Sequence, residues 1–403
     1  MATAPRPYAG PVLLAEGFRP FFLAAAVWAA VALGLWVALL SGAIVGPRAL
    51  DPLAWHIHEM LFGFVMAGVA GFILTAIPNW TGRPPLRGTP LAALVVLWLA
   101  ARLLALTSLV ATLPLALVAV VDAGLPLALA AYAARQVMAA RNWRNLVMTG
   151  PLLVLAIADG LMVAEGAGVT VPQGLGWRLG LAAIIILISA IGGRIIPAFT
   201  RNWLMKRGAT ALPPASPGPV DRLALASLHT GLLAWAFLAN GHGPGTALTG
   251  GLLLLASAAN LARLARWRGW TTLAEPLLSI LHLGYLWVVV GAALLGGTLL
   301  TSTVPMATAI HALTAGSIGT MMLAVMSRAT LGHTGRPLTA DRATVSVYLL
   351  VNGAALSRIV ASLMGGAHLS LLALSALLWV TAFALFAARY LPYWRRPRLE
   401  RIA

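Results

Sequence analysis

Apolar runs of about twenty residues, separated by short polar turns, fill this chain almost from end to end. A run of about 20 apolar residues is long enough to cross the hydrocarbon core of a bilayer as a helix, the only single-segment structure that satisfies its own backbone there. Such runs are expected at 20–42, 54–77, 90–107, 113–134, 145–165, 177–199, 222–240, 246–265, 273–295, 305–327, 343–363 and 370–391, the least pronounced being those near 90 and 222. The first run is long enough to span and has no small-residue cleavage site, so it is expected to remain as a helix. The pattern predicts an all-α, polytopic transmembrane bundle of about 12 helices forming a single domain over 1–403. Helices 1–6 cover about 20–200 and helices 7–12 about 222–391. A linker at about 201–221, containing Leu212-Pro-Pro-Ala-Ser-Pro-Gly-Pro219, joins the halves.

Composition supports this reading. Hydrophobic residues make up 60% of the chain and charged residues only 9%, where a soluble protein carries about 25% charged. Cysteine is absent, which excludes disulfides, thiolate metal sites and iron–sulfur clusters; any metal must be held by His, Met or carboxylate. The net charge of +17 raises the question of nucleic acid, but the placement of the basic residues answers it. Of the 27 Lys and Arg, 22 fall at one end of the predicted helices and two, Arg48 and Arg178, at the other, with Arg102, Arg194 and Arg358 inside spans. This asymmetry predicts cytoplasmic N and C termini and contact with anionic lipid, not nucleic-acid binding.

Part of the chain repeats. Thr81-Gly82-Arg83-Pro84 follows the second span and Thr334-Gly335-Arg336-Pro337 the tenth, an offset of 253 residues that also maps His58 onto His311 and Gly63 onto Gly316. Arg102 and Arg358 follow loosely, so helices 1–3 and 9–11 are expected to be pseudo-repeated. The dipeptide Asn-Trp recurs at Asn79-Trp80, Asn142-Trp143 and Asn202-Trp203; interfacial Trp anchors a helix end, and the Asn is expected to cap or tie loops.

Ionisable side chains at membrane depth are costly and usually functional. Here they gather in the half opposite the basic end: His56, His58 and Glu59 in the second span, Arg102, Asp122, Asp159, His311 and Arg358 in others. His56 and His58, two apart, do not share a helix face. They are therefore expected to serve two different centres, one on each side, unless His56 merely faces the headgroups. His58 and His311, at one depth on two helices, could form the axial pair of a haem. Arg102 and Arg358 would then meet the haem propionates, or else snorkel or pair with Asp122 or Asp159. His229 and His282, nearer the midplane, could bind copper or a polar substrate, or make interhelical hydrogen bonds; His56 is a further copper candidate. His242 and His368 are expected in solvated loops.

Several segments resemble one known family, NnrS. They are Glu16-Gly-Phe-Arg-Pro-Phe-Phe22, Trp55-His-Ile-His-Glu-Met-Leu-Phe-Gly-Phe64, Ile77-Pro-Asn-Trp-Thr-Gly-Arg-Pro-Pro-Leu86, Gly193-Arg-Ile-Ile-Pro-Ala-Phe-Thr-Arg-Asn-Trp203, His311-Ala-Leu-Thr-Ala-Gly-Ser-Ile-Gly-Thr320 and Met326-Ser-Arg-Ala-Thr-Leu-Gly-His-Thr-Gly-Arg-Pro337. The resemblance implies a multi-pass bacterial inner-membrane protein that contains haem, of b type, and copper and is associated with denitrification and relief of nitric oxide stress. Three functions are compatible with it: a haem–copper oxidoreductase acting on nitric oxide, a nitric oxide sensor or buffer without turnover, and a membrane transporter or channel.

Overall fold

The computed structural model describes residues 8–46, 51–238, 243–301, 303–364 and 369–399. Arg6, Arg48, His242, His368 and Arg401 lie outside them. The described residues form twelve long helices and no strands: α1 (Phe18–Leu40), α2 (Pro52–Thr81), α3 (Thr89–Thr107), α4 (Leu115–Ala139), α5 (Trp143–Gly166), α6 (Leu175–Met205), α7 (Pro219–Leu238), α8 (Pro244–Arg266), α9 (Pro276–Thr301), α10 (Met306–His333), α11 (Arg342–Leu363) and α12 (Leu369–Arg395). Eleven are long and apolar enough to cross a membrane. The exception is α7, whose 20 residues carry Asp221, Arg222 and His229. The expected spans fall on these helices. The main difference is length: α2 and α6 run to 30 and 31 residues, because their polar ends stay helical beyond the apolar run.

Local chemistry sets the boundaries. Asp51 caps α2 by accepting from the backbone N–H of Leu53 and Ala54 at 2.9 and 3.1 Å, ahead of Pro52 in the first turn. After α2 and after α10 the chain turns at Gly82 (φ 68°) and Gly335 (φ 73°), left-handed conformations that glycine adopts without steric cost. The Thr-Gly-Arg-Pro repeat is thus one turn used twice. The repeat extends inward. Immediately after His58, α2 loosens into a π-helical segment at Glu59–Val65. Immediately after His311, α10 does the same at Ala312–Gly319. Such segments are rare and recur at functional sites.

Three helices form the centre. In α2, α6 and α10, 78%, 67% and 72% of the most apolar stretch is buried, against 28% in α1, α3 and α12. α9, at 61%, is nearly as enclosed, and the least buried helices face lipid. Neighbours in sequence pack side by side, and α12 closes on α1, where Trp379 Nε1 donates to the Ala29 carbonyl at 3.0 Å. Arg19 on α1 is buried and donates to the carbonyls of Tyr393, Trp394 and Arg396 at 3.2, 3.1 and 2.9 Å, so α1 and the end of α12 meet at the arginine-rich end. There Asn142 Nδ2 donates to the Trp80 carbonyl at 2.6 Å, one of the loop ties expected of the Asn-Trp dipeptides.

Candidate functional site

The second helix separates two environments in the half of the bundle opposite the arginine-rich end. One is a cavity of about 280 Å³ between α1, α2, α6, α10, α11 and α12. Its walls are mostly apolar and aromatic, including Trp36, Phe64, Trp177 and Trp379, and two imidazoles and a guanidinium line it: His56, His311 and Arg358. His56 stacks on Trp36, ring centroids 4.6 Å apart and nearly parallel, and its Nδ1 is buried with no hydrogen-bond partner. His311 Nδ1 lies 2.7 Å from the Ala307 carbonyl. A carbonyl only accepts, so Nδ1 carries the proton and Nε2 keeps its lone pair. Arg358 donates to Ser362 Oγ at 2.6 Å.

The other environment is a cluster of charges on the far side of α2, built from four helices. His58 and Glu59 come from α2, Arg102 from α3, Asp122 from α4 and Asp159 from α5, and all are buried. His58 Nδ1 lies 2.8 Å from Glu59 Oε1, and Nε2 lies 2.8 Å from Asp159 Oδ1 and 3.9 Å from Asp122 Oδ2. Arg102 forks between Glu59 Oε2 at 2.5 Å and Asp122 Oδ1. Trp28 Nε1 on α1 donates to Glu59 Oε2 at 2.9 Å, while Trp98 Nε1 on α3 donates to the Gly63 carbonyl at 3.0 Å. Asp122 Oδ2, Asp159 Oδ2 and Arg102 Nε are buried without a hydrogen-bond partner.

The expected residues are thus regrouped. His56 and His58 do occupy the two sides of one helix. His311 shares its cavity with His56, not with His58, whose two ring nitrogens are taken up by carboxylates. Of the two arginines expected at haem propionates, Arg358 lines the cavity, whereas Arg102 is spent on Glu59 and Asp122. His229 Nε2 meets Ser189 Oγ at 2.7 Å and His282 Nε2 meets Thr200 Oγ1 at 2.9 Å. Both make the interhelical hydrogen bonds that were the alternative to copper. Among the described residues, the group of three or more His, Asp or Glu side chains whose ligand atoms converge is His58, Asp122 and Asp159. The roles of Glu59 and Trp36 were not anticipated; the stacking partner of His56 lies on another helix, and no local pattern announces it.

Below the cavity the same three central helices continue the space by successive turns. Val65, Leu181 and Ile318 line the first cavity, and Gly68, Ile184 and Met321 line an apolar one of about 70 Å³ beneath it. That one shares Phe22, Phe72, Ile195 and Val325 with a third, of about 530 Å³, at the arginine-rich end, where Arg328, His333 and Arg398 face inward.

The family described as NnrS protein matches residues 12–398, nearly the whole chain. The chain belongs to the NnrS family. No curated protein matches it. Within this NnrS chain both environments fall inside the matched region, and the segments that first suggested the family include the His56, His58 and His311 helices.

Proposed function

We propose that this membrane protein carries a haem in the cavity between His56 and His311 and acts on nitric oxide there, in a bacterial inner membrane with the arginine-rich end in the cytoplasm. The observation that carries the reading is a pair of imidazoles in one apolar, aromatic-walled cavity, with His56 lacking any hydrogen bond to its buried Nδ1 and His311 presenting an unprotonated Nε2. Buried polar atoms ordinarily find partners, and neutral imidazole nitrogen is a common axial ligand of haem iron. The donor set therefore fits the group.

The chain's residues would divide the work. His311, braced through Nδ1 by the Ala307 carbonyl, is fixed in tautomer and orientation, as metal-bound imidazoles usually are. His56 has a stacking partner but no such brace, which makes it the more readily displaced of the two. Arg358 supplies a cation suited to a carboxylate. The apolar walls exclude water and admit a small uncharged ligand dissolved in the bilayer. The haem, when bound, supplies the iron at which nitric oxide binds.

Among the described residues, the cavity lining contains no Asp or Glu. Reduction of nitric oxide consumes protons, so this feature favours a second reading, in which nitric oxide is bound and released without turnover. Reduced-minus-oxidised spectra of the full-length protein in detergent, with and without nitric oxide, test the main reading. A Soret band that shifts on addition of nitric oxide is expected, and protein that takes up no haem overturns it. Anaerobic nitric oxide consumption with an electron donor separates turnover from simple binding.

A further inference from the structure

We infer that the buried cluster on the opposite side of α2 is a binding site for a divalent first-row transition-metal ion, held by His58 Nε2, Asp122 and Asp159. The inference stands on the cluster's own geometry and does not depend on haem in the neighbouring cavity.

Charge makes the first argument. Glu59, Asp122 and Asp159 bring three negative charges, and Arg102 brings one positive charge. All are buried within four packed helices, where an uncompensated charge is expensive. With His58 neutral, the cluster is two charges short of balance, and a divalent cation supplies that difference. Without an ion, two protons must be taken up instead.

Donor placement makes the second. The ligand atoms of His58, Asp122 and Asp159 all lie within 4.8 Å of one another. Tetrahedral ligands about 2.1 Å from one ion are roughly 3.4 Å apart, so closure on an ion asks for side-chain shifts of about an ångström. Asp122 Oδ2 and Asp159 Oδ2 are buried and unpartnered, leaving two carboxylate oxygens free to coordinate.

The third argument is the surrounding support. Glu59 Oε1 sits 2.8 Å from His58 Nδ1, and Glu59 is itself fixed by Arg102 and by Trp28 Nε1. A carboxylate accepting from one ring nitrogen while the other faces the ion is the usual way a protein sets the tautomer of a metal-bound histidine. One imidazole with two carboxylates is a borderline-to-hard donor set; with ions supplied equally, copper(II) and zinc are the ones it would retain best.

The test uses full-length protein purified in detergent, loaded with copper(II), zinc, manganese or iron(II), stripped of loosely held ion, and analysed by mass spectrometry for metal per chain. About one equivalent beyond haem iron is expected in the wild type. It should be lost in Asp159→Asn and kept in His311→Ala, while the Soret band follows the reverse pattern. X-ray absorption of the loaded wild type should show a single imidazole with oxygen donors. That measurement needs no variant and is unaffected if Asp159→Asn misfolds. Wild-type protein without a stoichiometric ion overturns the inference, as does an ion bound by two or more imidazoles or one retained in folded Asp159→Asn.

Discussion

His56 and His58 sit two residues apart on α2 and never share a partner: His56 stacks on Trp36 in an apolar cavity, and His58 is clasped by Glu59 and Asp159. At about 100° per residue the two side chains point roughly 200° apart around the helix. One helix thereby serves as the partition between a mostly apolar chamber and a cluster of charges, and changes on its two sides can be read out separately.

The first expectation follows from that partition. His56→Ala should lose most of its haem, measured as pyridine haemochrome per chain, while His58→Ala keeps it. If His58→Ala is the variant without haem and His56→Ala retains it, the faces have been assigned to the wrong cofactors.

Arg102 holds Glu59 and Asp122 together. Removing one partner from a buried ion pair leaves the others uncompensated, at a cost of about 3–5 kcal/mol. Arg102→Met should therefore lower the thermal midpoint in detergent sharply. Adding Asp122→Asn to it should recover part of the loss. A double variant less stable than Arg102→Met would show that Asp122 is held by something other than Arg102.

Gly63 probes the same cluster from the backbone. A Cβ there would lie 2.4 Å from Trp28 Nε1 and 2.8 Å from Arg102 Nη1, and both atoms are committed to Glu59. Overpacking of this kind costs about 1–3 kcal/mol. Gly63→Ala should also reduce bound metal while sparing haem. Gly316→Ala, the equivalent change in the second repeat, meets ring carbons of Trp287 instead, the nearest at 2.6 Å. It should lower stability with metal content unchanged, and equal metal loss in the two variants would argue against a local effect at Gly63.

At the arginine-rich end, Asp341 caps α11. Burial alone would raise its carboxyl, but hydrogen bonds from the Thr344 hydroxyl and backbone N–H and from Arg389 outweigh this and hold it below the usual carboxylate range. A depressed carboxyl stabilises the folded state fully above its unfolded pKa, and that contribution is lost as pH falls through the folded value. Asp341→Asn should therefore unfold at a lower temperature than wild type near neutrality. The gap, followed by tryptophan fluorescence, should close as pH drops below about 4. A gap independent of pH would mean that the cap works without its charge.

The helices were legible because a bilayer imposes a length and a composition on each span, and α7 was faint because Asp221, Arg222 and His229 interrupt its apolar run. The repeat was legible at its turns, where Gly82 and Gly335 must adopt positive φ. The pairing of side chains was not. Counting residues from a turn gives depth, and His58 and His311 do stand at matching positions. Which way each points depends on the local winding and on partners such as Asp159, about a hundred residues distant in sequence. The π-helical segments after both histidines shift that winding, and the run of residues beneath them carries no periodicity that announces it.

The Arg19 contact has a consequence for how the protein is made. Its guanidinium waits for the carbonyls of Tyr393, Trp394 and Arg396, which leave the ribosome some 375 residues later. Until α12 is inserted, Arg19 has Glu16 Oε2 at 3.3 Å but none of these three carbonyls, and α1 has one flank open to lipid. Closure of α12 on α1 therefore waits for α2 to α11, and nascent chains halted before α12 should be the ones a membrane quality-control protease finds and removes.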